Sequence, residues 1–286
     1  MHVPRKRRPE FEEARCYTYP QHLRDHLDDL PMAPGVYIFH AEEGDLPLYI
    51  GKSVNLRHRV LSHLRNEDEA RMLRQTRRIS HIRTAGEVGA LLLEASMIKQ
   101  LQPLFNQKLR RTRQLCAWSL QGGVPELVYS KDVNFATHAG LYGLYASRHA
   151  ALDALRALAD QHQLCYGQLG LEKRIPHKPC FRAMLHQCAG VCCARESLQD
   201  HQARLLGSLE ALQVHCWPYP GAVGLIERHE DLYQMHVIHH WSYLGSVDDP
   251  AQAQTLARQA VGFDADGYKI LCRPVLGGIA EIVPLW

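Results

Sequence analysis

Apolar residues recur along the chain with two distinct periods. Near the front, the short apolar and aromatic runs 36–40 and 48–51 are joined by the polar stretch AEEGDLP, the pattern of a β-hairpin. Leu56, Val60 and Leu64 then repeat at every fourth position and predict a helix, with Ser53 as its N-cap. ISHIRTA alternates and predicts a third strand over 79–84. After Gly86, the strongly apolar stretch 88–101 predicts a helix closed by Pro103. A polar helical pattern over 20–30 precedes these elements and is stopped by PMAPG. The order β-β-α-β-α predicts one small α/β domain.

Beyond the basic stretch RRTR (110–113) the pattern changes. AWSLQ, PELVYS and AGLYGLYAS predict short antiparallel strands, and 147–163 predicts an amphipathic helix that delivers Cys165 at its end. A loop-rich, cysteine-rich stretch over 165–193 follows, then a helix over 196–214. From Trp217 onward, VGLIER, YQMHVIHHWSYLG, YKILC and AEIVPL predict a closing antiparallel sheet with a helix inserted over 251–260. The predicted division is 1–30, a basic tail and helix; 31–108, the β-β-α-β-α domain; 109–164, a small β unit and helix; 165–215, a four-cysteine module and helix; and 216–286, a C-terminal β domain. The expected fold class is therefore α/β plus α+β: the front domain, a small β/helical cysteine-rich metal-binding module, and a C-terminal antiparallel β domain.

Composition sharpens this outline. The 286 residues suggest two or three cores, and the hydrophobic fraction of 46% is ample for burial. No apolar run approaches the roughly 20 residues of a membrane span. The start MHVPRKRRPEFEEAR has no apolar export core, so a soluble, cytoplasmic protein is expected. The net charge of +3 is unevenly spread: residues 1–120 carry 20 Lys+Arg against 14 Asp+Glu, 165–195 carry 5 against 1, and 196–286 carry 5 against 11. A basic front and a basic patch past the middle suit a polyanion; chance clustering on a solvated surface gives the same numbers. Nine cysteines without an export signal argue against a disulfide framework.

One residue breaks the pattern of the helix over 88–101. Glu94 has Ala90, Leu91, Met97, Ile98 and Leu101 as its neighbours on the helix surface. A carboxylate there faces inward, where it is protonated, paired with an Arg or Lys such as Arg57 or Arg59, or bound to a cation. Tyr37 and Tyr49 lie on facing strands. A phenol acts as a general base only when its pKa of about 10 is lowered by nearby positive charge or metal-bound water, and Lys52, Arg57 and Arg59 are placed to supply that charge. A tyrosine, a cation-binding carboxylate and an arginine around one hole suit a phosphodiester. Each tyrosine taken singly also reads as an ordinary strand residue with its hydroxyl at the surface.

Cys165, Cys180, Cys188 and Cys192 are separated by gaps of 14, 7 and 3 residues in a basic context. These gaps match neither a zinc finger nor a ferredoxin. Four thiols without a disulfide outlet favour a soft metal site, and a small core of free thiols is the alternative. Cys193, adjacent to Cys192, competes for the fourth position.

GVY (35–37), YIG (49–51), Lys52, Arg59, Glu94 within LEAS, and Pro103 with Asn106 in QPLFN together resemble the GIY-YIG nuclease family. The resemblance implies Tyr49 as the base acting on water, with Tyr37 beside it. It implies Arg59 and Lys52 on the phosphate, Glu94 holding one Mg²⁺ or Mn²⁺, and Asn106 ordering the site. Where the nearest members of that family carry a second tyrosine four residues after the arginine, this chain has His63, which retains the capacity to donate to a phosphate or shuttle a proton; a surface histidine, one of 18 in the chain, is the alternative.

Over roughly residues 30–215, the order of units and the string PCFRAMLHQCAGVC resemble the N-terminal half of the repair excinuclease UvrC. That resemblance implies Cys165, Cys180, Cys188 and Cys192 as ligands of a [4Fe-4S] cluster, or of Zn²⁺ in its place. It also implies damaged double-stranded DNA as substrate, UvrB as partner with UvrA upstream, and a monomer. None of the further nuclease, helix-hairpin-helix or UvrB-binding segments of UvrC is expected before Trp286, so a UvrB contact would use another surface, such as the sheet after Trp217. For that acidic region a plain structural cap is the alternative. The implied activity is the incision on the 3′ side of a lesion. Two rivals are a stand-alone structure-specific nuclease of the same catalytic family and a noncatalytic metal-cluster adaptor for DNA or UvrB.

Overall fold

A computed structural model describes residues 17–41, 46–107, 109, 114–120, 123–173 and 178–286. The basic tail, the stretch 110–113 and residues 42–45 of the first hairpin connection lie outside the described residues. The front of the chain forms β1 (Gly35–His40), β2 (Pro47–Ser53), α1 (Leu56–Leu64), α2 (Ala70–Gln75), β3 (Arg78–Arg83) and α3 (Glu87–Leu101). Its sheet is antiparallel, in the order β2-β1-β3. As the middle strand, β1 is buried throughout, and its alternation feeds two cores. Val36 and Ile38 pack with Ile50 and Ile98 of α3 on one face. Tyr37 and Phe39 pack with Leu56, Val60 and Leu64 of α1 on the other.

The middle of the chain contributes β4 (Cys116–Ser119), β5 (Glu126–Tyr129), β6 (Leu141–Tyr145), α4 (Arg148–Gln161), the short α5 (Phe181–Met184), α6 (Leu198–Leu209) and β7 (Gln213–Val214). Its sheet runs β5-β4-β6-β7. The last part supplies β8 (Val223–His229), β9 (Leu232–His239), β10 (Ser242–Val247), α7 (Pro250–Ala257), α8 (Ala265–Leu276) and β11 (Glu281–Pro284), with sheet order β10-β9-β8-β11. The three parts meet in one apolar cluster: Leu92 of α3, Ala117 and Leu141 of the middle sheet, and Leu225, Ile238, Trp241 and Leu271 of the last part. Polar contacts reinforce the joint. Lys99 of α3 bridges Asp264 and Asp266 at 2.7 and 3.0 Å, and Arg83 of β3 reaches Glu230 and Asp231.

Several elements differ from the sequence reading. The segment 20–30 forms two 3₁₀ turns, Gln21–Leu23 and Asp25–Leu27, instead of an α-helix. Pro20 and Pro31 confine it to a length at which helix nucleation is unfavourable, so burial of Leu23, Leu27 and Leu30 holds isolated turns. The N-cap of α1 is Asn55, whose side chain accepts from His58 N at 3.0 Å; Ser53, still on β2, instead closes a turn onto Asn55. The helix expected over 196–214 ends at Leu209, because Gln213 and Val214 pair with Tyr142 and Leu141. YKILC, expected as a strand, lies in α8. Asp264 caps that helix, and its buried face is Tyr268, Leu271 and Val275 at spacings of three and four, which outweighs the β preference of Tyr and Ile. The short helix α2 has no counterpart in the expected elements.

Candidate active site

The site is assembled along the outer edge of β2. An edge strand leaves every second residue's backbone groups unpaired, and here four of them are taken by other parts of the chain. Leu48 O accepts from Phe105 N at 2.8 Å. Ile50 N donates to Asn106 Oδ1 and Ile50 O accepts from Asn106 Nδ2, both at 2.9 Å, so a side-chain amide stands in for a neighbouring strand. Lys52 N donates to Glu94 Oε1 at 3.0 Å. Asn106 therefore acts on the backbone of the YIG segment, and Glu94 lies at the end of the same edge.

Glu94 faces inward and makes no ion pair among the described residues. Arg57 pairs instead with Asp28 at 3.2 Å, and Lys52 Nζ with Glu87 Oε1 at 2.6 Å. Burial pushes the Glu94 carboxyl above the ordinary glutamate value, against the opposing pull of the Lys52 N–H and the charges of Lys52 and Arg59. Its second oxygen has no protein partner among the described residues. One anchored and one open oxygen, with positive charge near but not touching, is a donor set that fits a single hard divalent cation.

Tyr37 pairs with Gly51 and Phe39 with Tyr49 across β1 and β2, which sets the two tyrosine rings 6.2 Å apart. The Arg59 guanidinium lies close enough to the Tyr37 hydroxyl for its charge to pull that phenol down. The Tyr37 hydroxyl also lies 2.6 Å from Nε2 of His63. Both phenols are pushed above the ordinary range. For Tyr37 the causes are burial and then Tyr49; for Tyr49 they are burial and then the charge of Glu94. The positive charge expected to lower them is outweighed. His63 is buried against Tyr37, Phe39 and Tyr49, and its Nδ1 is hydrogen-bonded to Glu69. Sequence reasoning did not single out Glu69. It closes the string NEDE (66–69), an Asn followed three residues later by Glu, and that signal marks a helix start rather than chemistry.

The structure thus brings Tyr37, Tyr49, Lys52, Arg59, His63, Glu94 and Asn106 into one region around β2. A second cluster lies in the middle part of the chain. The sulfur atoms of Cys165, Cys180, Cys188 and Cys192 all fall within 4.8 Å of one another. Cys193 lies outside this set, and its thiol donates to Gly190 O at 3.4 Å. Backbone N–H groups of Cys180, Ala183 and Gly190 donate to the sulfurs of Cys192, Cys180 and Cys188. Burial pushes Cys165 up to about 11 and raises Cys188 as well. At Cys192 burial is outweighed by the Cys180 N–H and the neighbouring thiols, which hold it below the ordinary thiol value. Deprotonated together, four thiolates this close would need a cation to offset their charge. Thiolates at 2.3 Å around one tetrahedral ion stand about 3.8 Å apart, so the cluster fits a soft metal.

The chain was compared with known proteins. Residues 33–107 match the UvrC-like GIY-YIG domain, 108–211 the UvrC/Cho excinuclease middle domain, and 222–286 the excinuclease Cho C-terminal domain. Excinuclease Cho of Escherichia coli strain K12 is 57% identical over 278 residues, which cover 97% of this chain and 94% of that one. The UvrABC system protein C of Caldicellulosiruptor saccharolyticus is 30% identical over 176 residues, 59% of this chain and 29% of that one. Among solved structures, the GIY-YIG N-terminal endonuclease domain of UvrC from Thermotoga maritima, described as bound to its catalytic divalent cation magnesium, shares 33% identity. It covers 30% of this chain and 97% of its own, with a TM-score of 0.28.

Proposed function

From the premise that this chain belongs to the excinuclease Cho family of UvrC-like GIY-YIG nucleases, we propose that it cuts one phosphodiester on the 3′ side of a bulky lesion in double-stranded DNA, after UvrA and UvrB have marked the site. The supporting observation is Glu94: an inward carboxylate with one oxygen tied to the YIG strand and the other open, beside Tyr49. Glu94 would hold Mg²⁺ or Mn²⁺, which supplies charge neutralisation at the phosphoryl group when bound.

The remaining chemistry belongs to the protein's own side chains. Tyr49 takes a proton from the attacking water, and Tyr37 holds Tyr49 and Arg59 in register. Arg59, an exposed residue, contacts the phosphate with the planar fork suited to it. Lys52 is partnered by Glu87, so a bound phosphate competes with that carboxylate for the ammonium. His63 occupies the buried side of Tyr37, and Asn106 keeps the β2 edge rigid. The products are a 3′-hydroxyl and a 5′-phosphate. Cys165, Cys180, Cys188 and Cys192 hold either a [4Fe-4S] cluster or Zn²⁺ as a staple of the middle part. Specificity for damage comes from UvrB and from opened DNA, since no helix among the described residues is of a base-reading kind.

The test is cleavage of an adducted duplex with Mg²⁺, with and without UvrA and UvrB, and mapping of the cut. Wild type should cut 3′ of the adduct only when both partners are present. Glu94→Ala should lose on the order of 10³-fold in rate while still binding DNA. Lesion-independent nicking, or a cut on the 5′ side, refutes the assignment.

A further inference from the structure

Neither phenol of the site is a ready base. An ordinary phenol is a neutral O–H donor at neutral pH, and burial holds Tyr37 in that form. A tyrosine that takes a proton from water must pass its own proton on, and the chain has to provide an acceptor. The side chains behind Tyr37 form a line. The Tyr37 hydroxyl is 2.6 Å from His63 Nε2, His63 Nδ1 is hydrogen-bonded to Glu69 Oε2, and Glu69 Oε1 accepts from Asn66 Nδ2 at 3.0 Å. Tyr37 is 1% and His63 4% exposed, so water does not compete for these bonds.

The protonation pattern follows from the far end of the line. Burial raises the Glu69 carboxyl, but the bond and charge of His63, the Asn66 amide and Arg59 outweigh it and leave Glu69 below the ordinary glutamate value. Ionised Glu69 only accepts, so Nδ1 of His63 carries the hydrogen. With a single ring hydrogen held at Nδ1, Nε2 is an acceptor, and Tyr37 donates to it.

We propose that Glu69 is a positioning residue for strand cleavage: it fixes the Nδ1–H tautomer of His63 and thereby aims Nε2 to receive the proton leaving Tyr37. This rests on the reading of Tyr49 and Glu94 given above. As the water oxygen bonds to phosphorus, one water proton goes to Tyr49, the Tyr49 hydroxyl proton to Tyr37, and the Tyr37 proton to His63 Nε2. The P–O3′ bond breaks with its electron pair on the 3′ oxygen, which takes a proton from solvent. Both phenols end neutral. His63 ends as an imidazolium beside the Glu69 carboxylate and returns its proton to solvent before the next turnover. The carboxylate does here what the buried acid of a serine-protease triad does, setting the tautomer and favouring the cation that forms.

The experiment uses the full chain with an adducted duplex, UvrA, UvrB and saturating Mg²⁺. Single-turnover cleavage, DNA binding, melting temperature and the ¹⁵N NMR tautomer of His63 are measured for wild type, Glu69→Gln, Asn66→Ala, Tyr49→Phe and Glu94→Ala. The His63 signals are assigned with a His63→Gln sample. Glu69→Gln is expected to cleave about 100-fold more slowly, within the range positioned proton transfer contributes, with DNA binding unchanged. Its His63 should shift from the Nδ1–H form to a mixture with Nε2–H. Asn66→Ala should fall between it and wild type.

Cleavage by Glu69→Gln at the wild-type rate overturns the proposal, as does a slower variant whose His63 keeps the Nδ1–H tautomer. Should Glu69→Gln fail to fold, Asn66→Ala decides: an unaltered rate overturns the assignment. If Tyr49→Phe and Glu94→Ala cleave normally, the reading of the site itself falls. If they are inactive while Glu69→Gln is active, only the Glu69 assignment falls.

Discussion

Gly51 shows why the third letter of YIG is a glycine. A Cβ at this position would lie 2.2 Å from the Tyr37 hydroxyl oxygen and 2.4 Å from its Cζ, because the Tyr37 ring crosses directly over β2. Gly51→Ala must push that ring aside, breaking its hydrogen bond with His63. It is expected to slow cleavage of the adducted duplex by about 100-fold. It should also destabilise the fold by about 1–3 kcal/mol in urea titrations, the usual cost of overpacking. A variant that melts and cleaves like wild type would mean that Tyr37 is not held by this strand. Glu94 was legible in the sequence because a lone carboxylate on an apolar helix face is chemically conspicuous. The Lys52–Glu87 pair and the Tyr37–His63–Glu69 line were not, since exposed Lys and Glu are common and Glu69 sits in an ordinary helix-start pattern.

At the scale of elements, α3 carries Glu94 yet begins at Gly86, which has no side chain to cap it. The cap comes from β8. The Glu227 carboxylate accepts from Val88 N at 3.0 Å and Gly89 N at 2.7 Å, the two donors a local N-cap would satisfy. Behind it, His236 bonds Glu227 at 2.9 Å and Ser246 at 2.6 Å. Burial opposes ionisation of Glu227, but His236 and the two backbone N–H groups hold its pKa below the ordinary glutamate value. With the folded value depressed, its stabilisation is complete above the ordinary pKa and is lost as pH falls through the lowered one. Glu227→Gln should therefore cost about 2 kcal/mol at neutral pH. The gap to wild type should close as urea titrations are carried from pH 7 towards pH 3; a constant gap would contradict the charged cap. Periodicity found α1, α3 and α4, whose apolar spacing is internal to each. It misread YKILC and the end of α6, where a cap and a pairing partner outside the window decide.

For the whole molecule, the acidic balance after residue 196 has a use the charge count did not disclose. Glu227, Glu230, Asp231, Asp264 and Asp266 turn toward the front part, onto the start of α3, Arg83 and Lys99. The cap-like role weighed for this region therefore has direct contacts behind it, and a partner surface there would have to use what these pairs leave over. The cysteine cluster sits apart from this joint, between α4 and α6, with Cys165 N donating to the buried His201 at 3.1 Å. Cys192→Ser is expected to lose its bound metal on purification and to melt lower, whereas Cys193→Ser should retain it. Metal analysis, with visible absorbance of anaerobically purified protein, checks both: a broad band near about 400 nm marks a [4Fe-4S] cluster, and a colourless zinc protein excludes it. Metal retained by Cys192→Ser and lost by Cys193→Ser would reverse the ligand assignment.

By itself the sequence determined what depends on neighbours a few residues away: the alternation of β1 and β2, the helical stripes of α1 and α3, the inward Glu94 and the cysteine set. Each is written in periods of two or about 3.6 residues, or in the presence of donors with no other outlet. Tertiary structure alone decided what depends on residues far apart in the chain. Phe105, Asn106 and Glu94 line up on one strand edge, Glu227 caps a helix 139 residues before it, and a carboxylate stands behind His63. Such contacts satisfy backbone and side-chain groups whose partners have no fixed spacing, so no local pattern encodes them.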